Sequence, residues 1–217
     1  MNVDKMTSGF WSDVAVGDVI QLKDEQALKD SLERGRGFNP IEYIVGEIRS
    51  LREADGLCSW TMYRLDDPGQ QTLWLLRKVV DDLMDLRTYY TPDESYSPTL
   101  RDDLIAQGAS FLFDTTVPDV PLHDALFAPV IAYTLPDVGE INFVRKNTTL
   151  TAVMRITPAP SGVIQPVMTM VTEYVTEQQY ENPELLILEI GDDDAGGMVH
   201  LFLGSNLGET DFDVLKR

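Results

Sequence analysis

Short apolar segments with period-two alternation fill most of this chain. Residues 41–51 and 59–65 alternate apolar and polar side chains, which is the pattern of a strand with one face buried and the other in water. Further β-branched or aromatic runs follow, each bounded by proline, glycine, asparagine or aspartate. These runs are FLFD (111–114), VIAYTL (130–135), LTAVMRIT (150–157), PVMTMVTEYVT (166–176), ELLILEI (184–190) and MVHLFL (198–203). The pattern predicts a mostly β fold.

Helical spacing is confined to two short segments. Residues 26–34 end at Gly35, and residues 99–107 follow Pro98 and end at Gly108, so each has a recognisable stop signal. Together with the strands they predict an α+β, mostly β fold of antiparallel sheets with two or three short helices.

A composition change at residues 91–98, TPDESYSP, gathers proline, serine and acid after a run of strands. Such a stretch is typical of a joint. It predicts an N-terminal β-rich half, residues 1–91, and a C-terminal β-rich half, residues 99–217, and leaves open that both form one compact domain.

Two blocks of the sequence repeat one plan. Residues 62–76 and 187–203 each read as an apolar strand, acidic residues, glycine and a second apolar strand, and an alternating strand precedes both. Each block predicts a β-hairpin. Duplication of one β unit would give two similar halves. Chance similarity between hairpins is the favoured interpretation, since short patterned runs recur widely.

The charge balance excludes several functions. The chain carries 36 acidic against 17 basic residues, a formal charge of -19, with two histidines and one cysteine. The excess charge repels phosphate and anionic lipid, and scarce imidazole and thiol limit nucleophilic, acid–base and transition-metal chemistry. We therefore expect no nucleic-acid partner, no membrane insertion, no cofactor and no catalytic residues.

The compartment follows from cysteine usage and the N-terminal composition. Cys58 is the single cysteine, so no internal disulfide can form, and the first residues, MNVDKMTSGFWSD, lack a signal-peptide pattern. We expect a cytoplasmic protein.

One acidic cluster resembles the start of a calcium loop. Asp192, Asp193 and Asp194 precede a glycine turn, but the fifth position of such a loop would be Gly196 and the twelfth Leu203, where a bidentate glutamate is required. A carboxylate-rich hairpin tip is the favoured interpretation, and loose cation binding stays open.

A second acidic cluster comprises Asp81, Asp82 and Asp85. These carboxylates are candidates to hold magnesium or to act as an acid–base pair. On a continuous strand Asp81 and Asp85 would share one face. A solvated sheet face is the favoured alternative, since runs of charge mostly lie in water.

Phe10 and Trp11 precede the first predicted strand. Exposed aromatic residues commonly anchor partners, so both are candidate partner-binding residues. The alternative, that Trp11 folds back on a sheet, is favoured for a large apolar side chain.

The order of the blocks VGDVIQL, EYIVGEIRSL and WTMYRLDDPGQQTLWLL resembles that of the uncharacterised YjfK-like family of bacterial proteins. The most specific agreement lies in the C-terminal quarter, at Thr176-Glu177, Tyr180, Leu185-Leu186, Asp192 to Asp194 and Leu203-Gly204. The family has no established activity to carry over. Its members are similar to accessory proteins encoded beside membrane-remodelling proteins, which implies a helper in a bacterial envelope or stress system.

Two functional hypotheses follow. The first is a non-catalytic interaction protein whose acidic surface steers it to a basic partner protein, with self-association between copies left open. The second is a carboxylate-based protein or enzyme that binds divalent cations or a polyamine through the two acidic clusters.

Overall fold

Antiparallel β structure makes up nearly all of the described chain. The structure, a computed structural model, describes residues 13–22, 42–66, 73–81, 83–90, 95–96, 105–106, 108–114, 116, 127–135, 139–146, 149–158, 165–176, 184–190, 198–206 and 212–216. Helix within these ranges is limited to the 3-10 turn Ala109–Leu112 and to Ile105 and Ala106. The mostly β, antiparallel prediction is confirmed, whereas the predicted helix 26–34 and most of 99–107 lie outside the described residues.

The chain divides into two compact units. Unit 1 comprises Met1–Tyr90, Arg155–Gln165 and Leu207–Arg217, and unit 2 comprises Thr91–Met154 and Pro166–Asn206. The two β-rich halves expected from the sequence, 1–91 and 99–217, stay a prediction. Among the described residues, no helix is long and apolar enough to cross a membrane.

Unit 1 is a meander with two added strands at one side. Its strands are β1 (Val19–Leu22), β2 (Glu42–Glu53), β3 (Cys58–Asp66), β4 (Leu73–Val80), β5 (Leu83–Tyr90) and β13 (Phe212–Leu215). They lie in the order β13-β1-β2-β3-β4-β5, and every neighbouring pair is antiparallel. The strands predicted at 41–51 and 59–65 are confirmed as β2 and β3.

A bulge at Gly46 changes which face of β2 each side chain takes. Val45 pairs with Leu65, but the next pair along the strand is Glu47 with Arg64. An extra residue reverses the alternation beyond it. Val45 is therefore in the apolar core with Leu65, while Glu47 lies beside Arg64. A Cβ at position 46 would overlap the Asp66 carboxylate, so glycine suits the bulge.

Unit 2 is built on a second meander. Its strands are β6 (Ser95–Tyr96), β7 (Val130–Leu135), β8 (Gly139–Arg145), residues 150–154 of β9 (Leu150–Thr157), β10 (Val167–Thr176), β11 (Glu184–Ile190) and β12 (Met198–Asn206). The order is β12-β11-β10-β8-β7, β6 pairs with β12, and β9 and β8 share one edge of β10. The strands predicted between 130 and 203 are confirmed.

The predicted strand FLFD is wrong. Leu112 ends the 3-10 turn that begins after Gly108, whose φ is +90°, a conformation that only glycine adopts without strain. Phe113 makes one isolated antiparallel bridge with Phe127, and their rings stack with centroids 5.4 Å apart. The aromatic residues that indicated a strand thus pack a turn instead.

Both predicted hairpins are confirmed. β3 and β4 pair in unit 1, β11 and β12 pair in unit 2, and β2 and β10 precede them as the expected alternating strands. Each unit therefore contains a three-stranded meander of consecutive strands.

Candidate docking surface

Arginines of unit 1 form ion pairs with nearby carboxylates of the same unit. Arg64 Nη1 lies 3.0 Å from Glu47 Oε2, and Arg64 Nε lies 2.9 Å from Asp66 Oδ1. The hydrogen bond to Asp66 is the main reason that the pKa of the Arg64 guanidinium is raised above its ordinary value. Glu47 Oε1 also accepts a hydrogen bond of 2.7 Å from Arg49 Nε. One half-buried glutamate thus bridges two arginines.

Two cations of the same sheet lie over tryptophan rings. The Arg49 guanidinium carbon is 4.6 Å from the centre of the Trp74 ring, and Lys78 Nζ is 5.8 Å from that of Trp60. Both distances are within the range of cation–π attraction. Lys78 is buried, and the Arg49 side chain is 13% exposed. These charges contribute little positive potential to the surface.

Two further basic side chains are also engaged inside their own unit. Lys216 Nζ lies 2.9 Å from Asp18 Oδ2 and donates to the Asp13 carbonyl in unit 1. In unit 2, Arg145 Nη1 donates to the Phe127 carbonyl at 3.0 Å. Internal contacts therefore use Arg49, Arg64, Lys78, Arg145 and Lys216.

The acidic side chains lie mostly at the surface. Of the acidic residues whose side chains the structure describes, Asp18 is buried and all the others are exposed or half-buried. Asp18 accepts hydrogen bonds from the Ala15 amide at 2.8 Å and from Lys216, as a buried carboxylate requires. Negative charge in the described chain is thus concentrated at the surface.

Asp81 does not lie on a strand. It begins the two-residue connection between β4 and β5, with φ +49°, and is exposed, and Val80 pairs with Leu83 across this turn. The expected common face for Asp81 and Asp85 is therefore wrong, because the chain reverses between them. Asp85 lies on β5 opposite Lys78 in register.

The remaining candidate residues fall where the structure gives no account. Asp82, Asp192, Asp193, Asp194, Phe10 and Trp11 lie outside the described residues, as does the side chain of Asp85. Their proposed roles in cation or partner binding stay predictions. Within the ranges that are described, no group of histidine, cysteine or carboxylate side chains is arranged to hold a metal ion.

Two exposed leucines lie at the same end of the unit 1 sheet, and sequence reasoning missed them. Leu57 precedes β3 and is 65% exposed, whereas Leu83 begins β5 and is 76% exposed. Between them Val80 ends β4 and is 36% exposed. We call the turns 53–57 and 80–83 the hairpin tip. Alternation cannot mark Leu57, since it lies in a turn, and Leu83 is the first residue of its strand.

The hairpin tip is also acidic. Gly56 N donates to the Glu53 carbonyl at 3.0 Å, which closes the first turn, and Gly56 has φ +77°. Asp55 and Asp81 are exposed in the two turns. Apolar side chains and carboxylates therefore occupy the same end of the sheet.

Comparisons with family models, with curated proteins and with solved structures give no match to this chain. The resemblance to the YjfK-like family stays a prediction.

Proposed function

We propose that this chain is a non-catalytic interaction protein that docks on a basic partner protein. The acidic surface would draw the partner in over distances of about a Debye length, ~8 Å at physiological salt. The YjfK-like resemblance extends the proposal to a cytoplasmic accessory role in a bacterial envelope or stress system.

One observation carries this proposal: among the described residues six carboxylates are exposed against four exposed basic side chains, of which Lys216 is paired with Asp18. Arg49, Lys78 and Arg64 contact Glu47, tryptophan rings and Asp66, and over the whole chain the acidic residues exceed the basic ones by 19. A surface of one sign raises association rates with oppositely charged proteins and suppresses like-charged partners.

The experiment is a salt series on captured partners. Proteins retained by the immobilised chain at low salt are eluted with a salt gradient, produced separately, and their association rate constants measured by stopped flow. We expect the rate constant to fall by about tenfold or more between ~0.02 M and ~0.3 M salt. Partners whose association rate constants do not change with ionic strength would contradict electrostatic docking.

The alternative function, binding of a divalent cation or polyamine through Asp81, Asp82, Asp85 or Asp192 to Asp194, is tested separately. Calorimetric titration with magnesium, calcium and spermidine would show stoichiometric heat if either cluster forms a site. A flat titration at millimolar concentration would remove this function and leave the docking proposal unaffected.

The finer architecture belongs to the same proposal. We infer two similar β halves with two or three short helices outside the strands. The two meanders β2–β3–β4 and β10–β11–β12 support the inference because each joins an alternating strand to a hairpin.

A further inference from the structure

Leu83 and Leu57 are the two most exposed large apolar side chains among the described residues, and both lie in the hairpin tip. Tight turns favour glycine, aspartate and asparagine for conformational reasons, and no turn type requires leucine. An exposed leucine in a turn loses the free energy of burial that it would gain in a core. With Val80 they place three exposed apolar side chains at one end of the sheet, and we call these three residues the patch.

The strand register gives the patch a defined length. Cys58 pairs with Val80, and Val80 pairs with Leu83, so the ends of β3, β4 and β5 lie side by side. Neighbouring strands are about 4.8 Å apart, which places the start of β3 and the start of β5 about 10 Å apart. Residues i and i+7 of an α-helix are separated by about 10.5 Å along the axis. A helix lying across the three strand ends would therefore bring apolar residues at i, i+3 or i+4, and i+7 against the patch.

The acidic residues around the patch indicate that the polar residues of that helix are basic. Among the described residues of the hairpin tip, Glu53, Asp55 and Asp81 are acidic and none is basic, and Arg52 directly precedes the tip. A helix with lysine or arginine beside its apolar stripe would complement these carboxylates. An anionic membrane surface would be repelled. A second copy of the chain would bring the same carboxylates together at a symmetric contact.

We propose that the hairpin tip of unit 1 is the docking surface for a basic amphipathic helix of a partner protein. The inference rests on the proposed function and names the partner's chemistry and the surface that receives it. Leu57 and Leu83 supply apolar contact, and Asp55 and Asp81 supply charge.

The probe is a fluorescent amphipathic peptide about 18 residues long, with leucine at helical spacing and lysine elsewhere, compared with a scrambled peptide of the same composition. Binding is measured by anisotropy at about 0.15 M salt. Because any polycation associates with so acidic a chain at low salt, the deciding quantity is the difference between tip variants and matched controls.

Leu57→Ser and Leu83→Ser should each weaken binding about tenfold or more, since each removes a buried leucine from the complex. Met168→Ser is the matched control, because Met168 is 54% exposed on β10 of unit 2, and it should leave binding within about twofold. Asp55→Asn and Asp81→Asn should weaken binding about threefold and reduce its salt dependence, whereas Glu140→Gln, an exposed carboxylate of β8, should change neither. Asparagine tolerates the positive φ of Asp81.

Three outcomes would overturn the inference. The double leucine variant could bind the peptide as tightly as the unmodified chain, or the scrambled peptide could bind equally well. Light scattering could show a dimer that Leu83→Ser dissociates, which would assign the patch to a second copy. Cosedimentation with phosphatidylcholine–phosphatidylglycerol vesicles, lost in the same variant, would assign it to a membrane surface.

Failure of the proposed function has a different signature. If the unmodified chain fails to bind the lysine-rich peptide at every salt concentration tested, electrostatic docking itself is wrong. If salt-dependent binding persists but ignores both leucines and both aspartates, docking survives and the hairpin tip is excluded as its site.

Discussion

Units 1 and 2 contain the same three-stranded meander, but the polar side chains of the two sheets have different kinds of hydrogen-bonding partner. In unit 1 the groups are charged, with Glu47, Arg49 and Arg64 joined in one ion-pair network. In unit 2 several are neutral: Thr172 Oγ1 lies 2.9 Å from Thr149 Oγ1. Tyr174 donates to the Ala128 carbonyl at 2.8 Å. A common strand plan therefore does not fix the chemistry of the sheet interior.

The bulge at Gly46 accounts for the charged network of unit 1. Without it Glu47 would share the core face with Val45, since alternate residues of a strand lie on the same side. β10 of unit 2 pairs with β11 in unbroken register from Thr169 to Val175, and its buried polar residues are threonines. The inserted residue at the bulge thus decides whether the charged side chains of the strand face the apolar core or lie beside residues of opposite charge.

The largest expected effect is a fall in the free energy of unfolding at alkaline pH, to which one buried tyrosine in each unit contributes. Burial raises the pKa of Tyr63 to about 12, against weaker lowering by Arg77 and by a hydrogen bond with Thr61. Burial likewise raises the pKa of Tyr174. Unfolded tyrosine ionises near pH 10, so above about pH 10 the folded chain holds protons that the unfolded chain has lost, and the free energy of unfolding falls.

For Tyr63 this loss should reach about 2 kcal/mol by about pH 12. Urea unfolding of the native sequence, Tyr63→Phe and Tyr174→Phe, measured between about pH 8 and pH 12, gives the test. Each phenylalanine variant should reduce the slope of stability against pH. An unchanged slope in Tyr63→Phe would show that its phenol is already accessible to water.

A smaller effect should separate the charged unit from the neutral one. Asp18→Ala leaves the Ala15 amide without its acceptor and removes the partner of Lys216, and should cost about 2 kcal/mol. Thr172→Val removes the hydroxyl contact with Thr149 and should cost about 1 kcal/mol or less. Urea denaturation at neutral pH gives both values. Equal losses of unfolding free energy in the two variants would mean that the ion pair of Asp18 with Lys216 adds no stability beyond that of a neutral hydrogen bond.

Strands and hairpins were predictable from the sequence because their signals are local. Alternation marked β2 and β3, and the acidic, glycine-containing turns marked the hairpins. β8 escaped prediction since its sequence, GEINFVR, begins with glycine and contains asparagine and charged residues. FLFD misled because aromatic residues favour strands, whereas the contact between Phe113 and Phe127 that decides its structure is long-range.

The candidate site was predictable in its charge but not in its position. Net charge can be counted from the sequence, yet the engagement of Arg49 and Lys78 with tryptophan rings depends on strand register. Leu57 and Leu83 look like core residues in the sequence, and only the pairing of β3, β4 and β5 places them at the same end of the sheet.

The smallest effect tests the ionic network of unit 1 directly. Arg49→Met removes the cation over Trp74 and a donor to Glu47, while methionine retains much of the apolar stem and Arg64 still pairs with Glu47. The expected cost is about 1 kcal/mol. Arg52→Met, at an exposed position of the same strand, is the control and should cost less than about 0.5 kcal/mol.

A double-mutant cycle with Glu47→Gln then isolates the pair. A coupling near zero, together with equal losses for Arg49→Met and Arg52→Met, would mean that the buried guanidinium is tolerated without stabilising the sheet. The two meanders would then differ in composition alone. A positive coupling would show that the Gly46 bulge, by placing Glu47 beside both arginines, gives unit 1 a source of stability that unit 2 lacks.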